Sequence, residues 1–113
     1  MSSITTYGYN KIQDYLVANV TYLELQDDQG NAIKRYTTSN GLTITNSKAT
    51  QTITYEVVAT GDAAFLNKTV AQSVLFDVAT NGSSIATETF SPFTFESAED
   101  ELTVKHNIQV PQL

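Results

Sequence analysis

The sequence predicts an all-β, mostly antiparallel fold: a β-sandwich or small barrel of about seven or eight strands with a short N-terminal helix. Three observations carry this. Leu102, Val104, His106, Ile108 and Val110 alternate with Thr103, Lys105, Asn107 and Gln109, the two-residue period of a strand with one buried face. Turn signals recur between the apolar stretches, notably Gly30-Asn31, Asn40-Gly41 and Asn81-Gly82. Thr, Val and Ile are abundant beside six Tyr and five Phe, side chains that suit pleated, half-buried surfaces.

At 113 residues the chain fits one domain spanning 1–113. Residues 1–9 read as an N-terminal arm carrying Tyr7 and Tyr9 around a turn at Gly8, with the two rings placed to staple the following helix to a sheet. Residues 10–19 read as that helix. Asn10 with Gln13 three positions on has the form of a capping box, and Ile12, Tyr15 and Leu16 recur at i, i+3, i+4. The sandwich is expected over residues 20–110 and a C-terminal tail over 111–113.

Within the sandwich the period becomes two. Residues 20–26 and 33–38 flank the polar loop 27–31, which has the length and glycine expected of a hairpin. Residues 42–45 and 52–57 form a second pair, with Leu42 and Ile44, then Ile53, Tyr55 and Val57, each on one face. Phe65 and Leu66 are expected to pin the crossover 61–68 onto the core. Residues 70–78 place Val70, Val74, Phe76 and Val78 on one side. Asn81-Gly82 then turns the chain into 85–90. Ser91-Pro92 breaks the next strand, because proline has no amide for a ladder and favours an edge or a bulge, while Phe90, Phe93 and Phe95 fill the core or its margin. A one-residue slip of 102–110 would expose its whole apolar row, so that strand is firmly registered, and Pro111 ends it. Asn40-Gly41 and Asn81-Gly82 are two ordinary turns, because their flanks do not correspond as an internal repeat would.

With 12 acidic and 6 basic residues the formal charge is −6, which disfavours nucleic-acid and membrane-surface partners. The chain has no Cys, so disulfides, thiolate metal sites and cysteine nucleophiles are excluded. The N-terminus lacks the basic start and apolar run of a signal peptide, and no apolar stretch reaches the roughly 18 residues of a membrane span. The glycosylation triplets at Asn19, Asn67 and Asn81 therefore carry no weight.

The chemistry-bearing residues are few. A single His, His106, sits on the apolar side of the last strand, where it reads as a core-capping residue and excludes paired-His metal sites. No nucleophile elbow or phosphate-binding glycine loop occurs. Asp27-Asp28 and the run Glu96, Glu99, Asp100, Glu101 lack the spacing of a calcium loop; they read as solvated turns, although the second is dense enough to be considered for a cation. Lys34-Arg35-Tyr36 reads as a strand with an outward basic pair. No cofactor and no catalytic residue are expected.

Residues 22–35 (Tyr-Leu-Glu-Leu-Gln-Asp-Asp-Gln-Gly-Asn-Ala-Ile-Lys-Arg) and 99–111 (Glu-Asp-Glu-Leu-Thr-Val-Lys-His-Asn-Ile-Gln-Val-Pro) resemble small structural proteins of tailed bacteriophages and prophages of Gram-positive bacteria. The resemblance implies a non-enzymatic virion protein, such as a capsid decoration, a neck or tail ring subunit, or a tail-tip module. It would be assembled in the host cytoplasm and act through contacts with its own copies or other virion proteins. The surfaces expected to make those contacts are both termini and an uncovered sheet edge, with Tyr7, Tyr9, Tyr22, Tyr36, Val110, Pro111 and Leu113 as interaction residues. Two further classes stand beside this one: a carbohydrate- or receptor-binding module stacking a glycan on Tyr7, Tyr9, Tyr22 or Tyr36, and a small acidic inhibitor that imitates nucleic acid.

Overall fold

A computed structural model describes residues 3–111. Over these it has one helix, α1 (Thr6–Asn19), and seven strands: β1 (Tyr22–Gln26), β2 (Ala32–Thr37), β3 (Thr43–Ser47), β4 (Thr52–Thr60), β5 (Thr69–Phe76), β6 (Ala86–Thr94) and β7 (Glu101–Gln109). One sheet has the order β2-β1-β5-β6 and the other β3-β4-β7, with every pair antiparallel. This is the predicted small sandwich. Leu23, Leu25, Ile53, Tyr55, Val57, Phe65, Val70, Leu75 and Phe95 make up the buried layer between the sheets.

The helix begins four residues before its predicted start, and Tyr7 and Tyr9 belong to it instead of to an arm. The true N-cap is Thr5, whose hydroxyl accepts a hydrogen bond from Gly8 N at 3.1 Å. The buried stripe is also turned from the predicted one. Gln13 is fully buried, Leu16 and Val17 pack partly on the core, and Val20 follows as the next buried residue. Ile12 and Tyr15 are exposed. Polar anchoring explains the rotation: Gln13 Nε2 donates to Asn46 Oδ1 at 2.8 Å and to the Ser47 carbonyl at 3.3 Å, and Lys48 pairs with Asp14 at 2.9 Å. The helix is thereby held against the end of β3, and the Tyr55 hydroxyl donates to the Val20 carbonyl at 2.8 Å, where the helix ends.

The other departures arise at a bulge. Val70 pairs with Phe93 but Gln72 pairs with Thr89, so Phe90, Ser91 and Pro92 together face Ala71. The side chains change parity there. Val70 points into the core as expected, yet from Ser73 onward the core face of β5 carries Ser73 and Leu75, leaving Val74 and Phe76 on the opposite face of the sheet. Pro92 is accommodated because β6 is an edge strand and the bulge removes the need for its amide. The strand is therefore not broken at Ser91-Pro92 as expected but continues through them to Thr94.

The opposite face of the four-stranded sheet holds a buried polar cluster. Arg35 Nε lies 3.1 Å from Glu24 Oε1, and the two side chains are only 12% and 10% exposed. Gln26 Nε2 donates to Glu24 Oε2 at 2.6 Å, and Gln72 Nε2 donates to Gln26 Oε1 at 2.5 Å. The Arg35 guanidinium covers the Phe76 ring, 3.7 Å from its centroid, and donates to the carbonyls of Val78 and Asn81 at 2.8 and 3.1 Å. Arg35 is thus not half of an outward basic pair. Asn81 and Gly82 both take positive φ, 55° and 85°, as their turn chemistry requires. The strands nevertheless stop at Phe76 and restart at Ala86, because the loop carbonyls are directed to Arg35 and not to a ladder.

The crossover from β4 to β5 is pinned as predicted by Phe65, which is fully buried, but not by Leu66, which is exposed. Phe65 stacks on Tyr36 with centroids 6.5 Å apart and meets Phe95 at 5.1 Å. At the start of this crossover Gly61 N donates to the Asp100 carbonyl at 3.0 Å, and the Gly61 Cα lies so close to the Ser97 carbonyl that a Cβ would overlap it. That approach ties residues 61–68 to the turn between β6 and β7.

Candidate functional site

Two sheet edges, β6 and β7, flank one lateral opening of the sandwich. A cleft of about 350 Å³ lies there, lined by Glu88, Phe90 and Ser91 of β6 and by Leu102, Thr103, Val104 and Lys105 of β7. Of its lining residues, Glu88 also faces the only imidazole in the chain, which joins the two sheets. Ser73 Oγ lies 2.8 Å from His106 Nδ1, and His106 Nε2 lies 4.0 Å from Glu88 Oε2.

The tautomer follows from these neighbours. If the Ser73 hydroxyl donates to Nδ1, Nε2 carries the proton and directs it toward the carboxylate; the reverse arrangement would set a lone pair against a negative oxygen. Glu88 Oε2 is shielded from solvent and has no hydrogen-bond partner among the described residues.

Hydroxyl, imidazole and carboxylate in series invite comparison with a hydrolytic triad. The geometry does not serve that chemistry. Ser73 is fully buried and His106 is 3% exposed, so a substrate carbonyl has no path to Ser73 Oγ. What the arrangement does is bridge β5 and β7 across the core, satisfying two buried polar groups at once.

Burial pushes the His106 pKa below its ordinary value of 6.5, and the Glu88 carboxylate opposes that only in part. The unfolded chain therefore binds a proton that the folded chain resists. Stability from neutral His106 is complete above about pH 6.5 and is lost as pH falls toward the lowered folded pKa, at a slope no steeper than about 1.4 kcal/mol per pH unit. His106→Gln should flatten urea-unfolding stability between about pH 7.5 and 5.5. An unchanged slope would assign the pH dependence to another group.

In each acidic cluster one carboxylate is taken up by its own backbone. Asp27 accepts from the amides of Gln29 and Asn31 at 2.9 and 2.8 Å, and Asp100 from those of Glu96 and Ser97 at 2.8 and 3.0 Å. These amide hydrogen bonds hold both carboxyls below their ordinary pKa. Among the described residues no three His, Asp or Glu side chains converge as a metal site, and no helix is long and apolar enough to cross a membrane.

The predicted interaction residues are scattered. Tyr7 is 70% exposed on α1, with Lys11 Nζ 5.0 Å from its ring centroid. Tyr9 is half-buried on the same helix, and Tyr22 is half-buried on β1 opposite Phe76. Tyr36 is 4% exposed and belongs to the core, where burial, with help from Asp62, raises its pKa to about 12; it offers no stacking face. Val110 is not a free arm, since its amide donates to the Gln51 carbonyl at 2.9 Å and its carbonyl accepts from Gln51 Nε2 at 2.8 Å. Pro111 beside it is half-buried. Leu113 lies outside the described residues.

Comparison of the chain with protein families, curated proteins and solved structures gives no match. The site must be read from its own geometry. Two features went unread in the sequence: the apolar face that Ile4, Tyr7, Ile12 and Tyr15 leave exposed around α1, and the β6/β7 opening. The first had a signal in Thr5, a residue type that caps helices as Asn10 does and that opens the helix one turn earlier. The second depends on strand order, which local sequence does not encode.

Proposed function

We propose that this chain is a structural subunit of a tailed-phage particle, a decoration, ring or tail-tip protein that works through protein–protein contacts and not through catalysis. The observation that carries the reading is the contrast between its interior and its surface. The Ser73 hydroxyl and the His106 imidazole are buried inside the sandwich, with only Glu88 of the series reaching the cleft, whereas apolar side chains collect on α1 and beside an open sheet edge. The resemblance of residues 22–35 and 99–111 to phage structural proteins supports the same reading, as do the absence of Cys and the net charge of −6, which suit a subunit kept soluble before it assembles.

The test is co-expression with the products of the adjacent genes, followed by purification and electron microscopy of whatever forms. The chain should be retained in stoichiometric, symmetric positions on a capsid, neck or tail assembly. Adjacent genes unrelated to virion structure, together with no retention on any co-expressed product, would overturn the reading.

A further inference from the structure

Four strands carry a free edge: β2 and β6 in one sheet, β3 and β7 in the other. Natural sheets blunt such edges with short strands, prolines, bulges or covering segments, and three of these four are blunted. β3 has five residues and carries α1 against its end through Asn46, Ser47 and Lys48. β2 has six, has a bulged pairing with β1, and lies beside the 61–68 crossover through Lys34–Asp62 and Tyr36–Phe65. β6 carries Pro92 and its bulge.

Among the described residues β7 has no proline, bulge or covering segment; the charged Glu101 and Lys105 are its edge device. It runs nine residues with unbroken pairing to β4 on one side, and its free side borders the cleft.

We propose that two copies of this chain join antiparallel along their β7 edges, around a two-fold axis at Thr103. The inference rests on the assembly reading above and names its surface and its partner. Charge selects the register. Glu101, Thr103 and Lys105 share the outer face of β7 and are all exposed. Pairing centred on Thr103 sets Glu101 opposite the partner's Lys105 and Lys105 opposite the partner's Glu101, a favourable cross-strand contact made twice. Pairing centred on Lys105 would oppose the two ammonium groups. Lys105 can make the contact, because Glu56, its one ion-pair partner among the described residues, is 3.8 Å away and the lysine side chain is 62% exposed.

On the inner face the same register brings Leu102 against the partner's Val104. Both line the cleft, so the two openings meet and the three-stranded sheets become one continuous sheet. Such a contact is self-complementary, as a two-fold interface must be.

The Cys-free chain allows a direct test. In a Thr103→Cys variant the two sulfurs would lie across the axis, where opposed Cα atoms about 4.5–5.5 Å apart fall within disulfide range. In Asn107→Cys they would be more than about 20 Å apart along the ladder. Under mild oxidation Thr103→Cys should give disulfide dimers well ahead of Asn107→Cys, equal or absent cross-linking overturning the pairing. Lys105→Glu should weaken dimerisation about tenfold, and Glu101→Lys combined with Lys105→Glu should restore it. Both positions are solvent-facing, and unchanged circular dichroism would show the fold intact. An unaltered dimer constant for Lys105→Glu would count against the register. A chain that associates without cross-linking at residue 103 sinks this inference and leaves the assembly reading standing. So does a monomer that is still retained on a neighbouring gene product.

Discussion

Replacing Arg35 with alanine is expected to lower the unfolding free energy by about 3–5 kcal/mol, the cost typical of removing one member of a buried ion pair. Its partner Glu24 would be left with little access to water, on a sheet face where both side chains are at most 12% exposed. The loss extends beyond the pair. The Phe76 ring would lose its guanidinium cover, and the carbonyls of Val78 and Asn81 would lose their donor. Urea unfolding measures this, and hydrogen exchange should locate the loosening in residues 77–85. Glu24→Gln combined with Arg35→Leu should recover part of the loss, because removing both charges removes the uncompensated one. A single variant within about 0.5 kcal/mol of the natural chain, the usual range of surface substitutions, would mean that the cluster is solvated in solution.

Phe65→Ala should cost a similar amount, about 3–5 kcal/mol. The ring is fully buried between Tyr36 and Phe95, and the crossover that carries it is tied down at Gly61 by the Ser97–Asp100 turn. The surrounding chain cannot collapse freely into the space, so a cavity penalty adds to the lost transfer energy. Leu66→Ala is the matched control. That side chain is 39% exposed, and its removal should cost well under half as much. Equal effects for the two variants would show that the crossover packs differently.

What the sequence made legible follows from where local patterning decides the outcome. β7 was readable residue by residue, because one of its faces packs on the core throughout and the alternation is unbroken. β5 was readable only as far as the bulge. Opposite Pro92 the register shifts, so the pattern that sets Val70, Val74, Phe76 and Val78 on one side fails there: Val74 and Phe76 face away from Val70, and Val78 lies beyond the strand. The helix was found but started late and faced wrongly, because its buried stripe begins with Gln13, a polar residue satisfied by Asn46 thirty-three positions away.

The candidate site was less legible for the same reason. His106 was correctly read as facing the core, but its partner Ser73 lies on a different sheet, and only the tertiary fold brings them together. Tyr36 reads as a surface ring because alternation in β2 is weak; packing against Phe65 decides its direction. Exposed Tyr7 could be located, whereas the open side between β6 and β7 required the strand order.

The most direct measurement of the central claim, that the working surface is an open sheet edge and not a pocket, is hydrogen exchange at low and high protein concentration. The account predicts that alternate amides of residues 101–105 gain protection as concentration rises, while amides of β2, β3 and β6 do not change. Protection in β7 that is independent of concentration, or that grows on another edge instead, would contradict it.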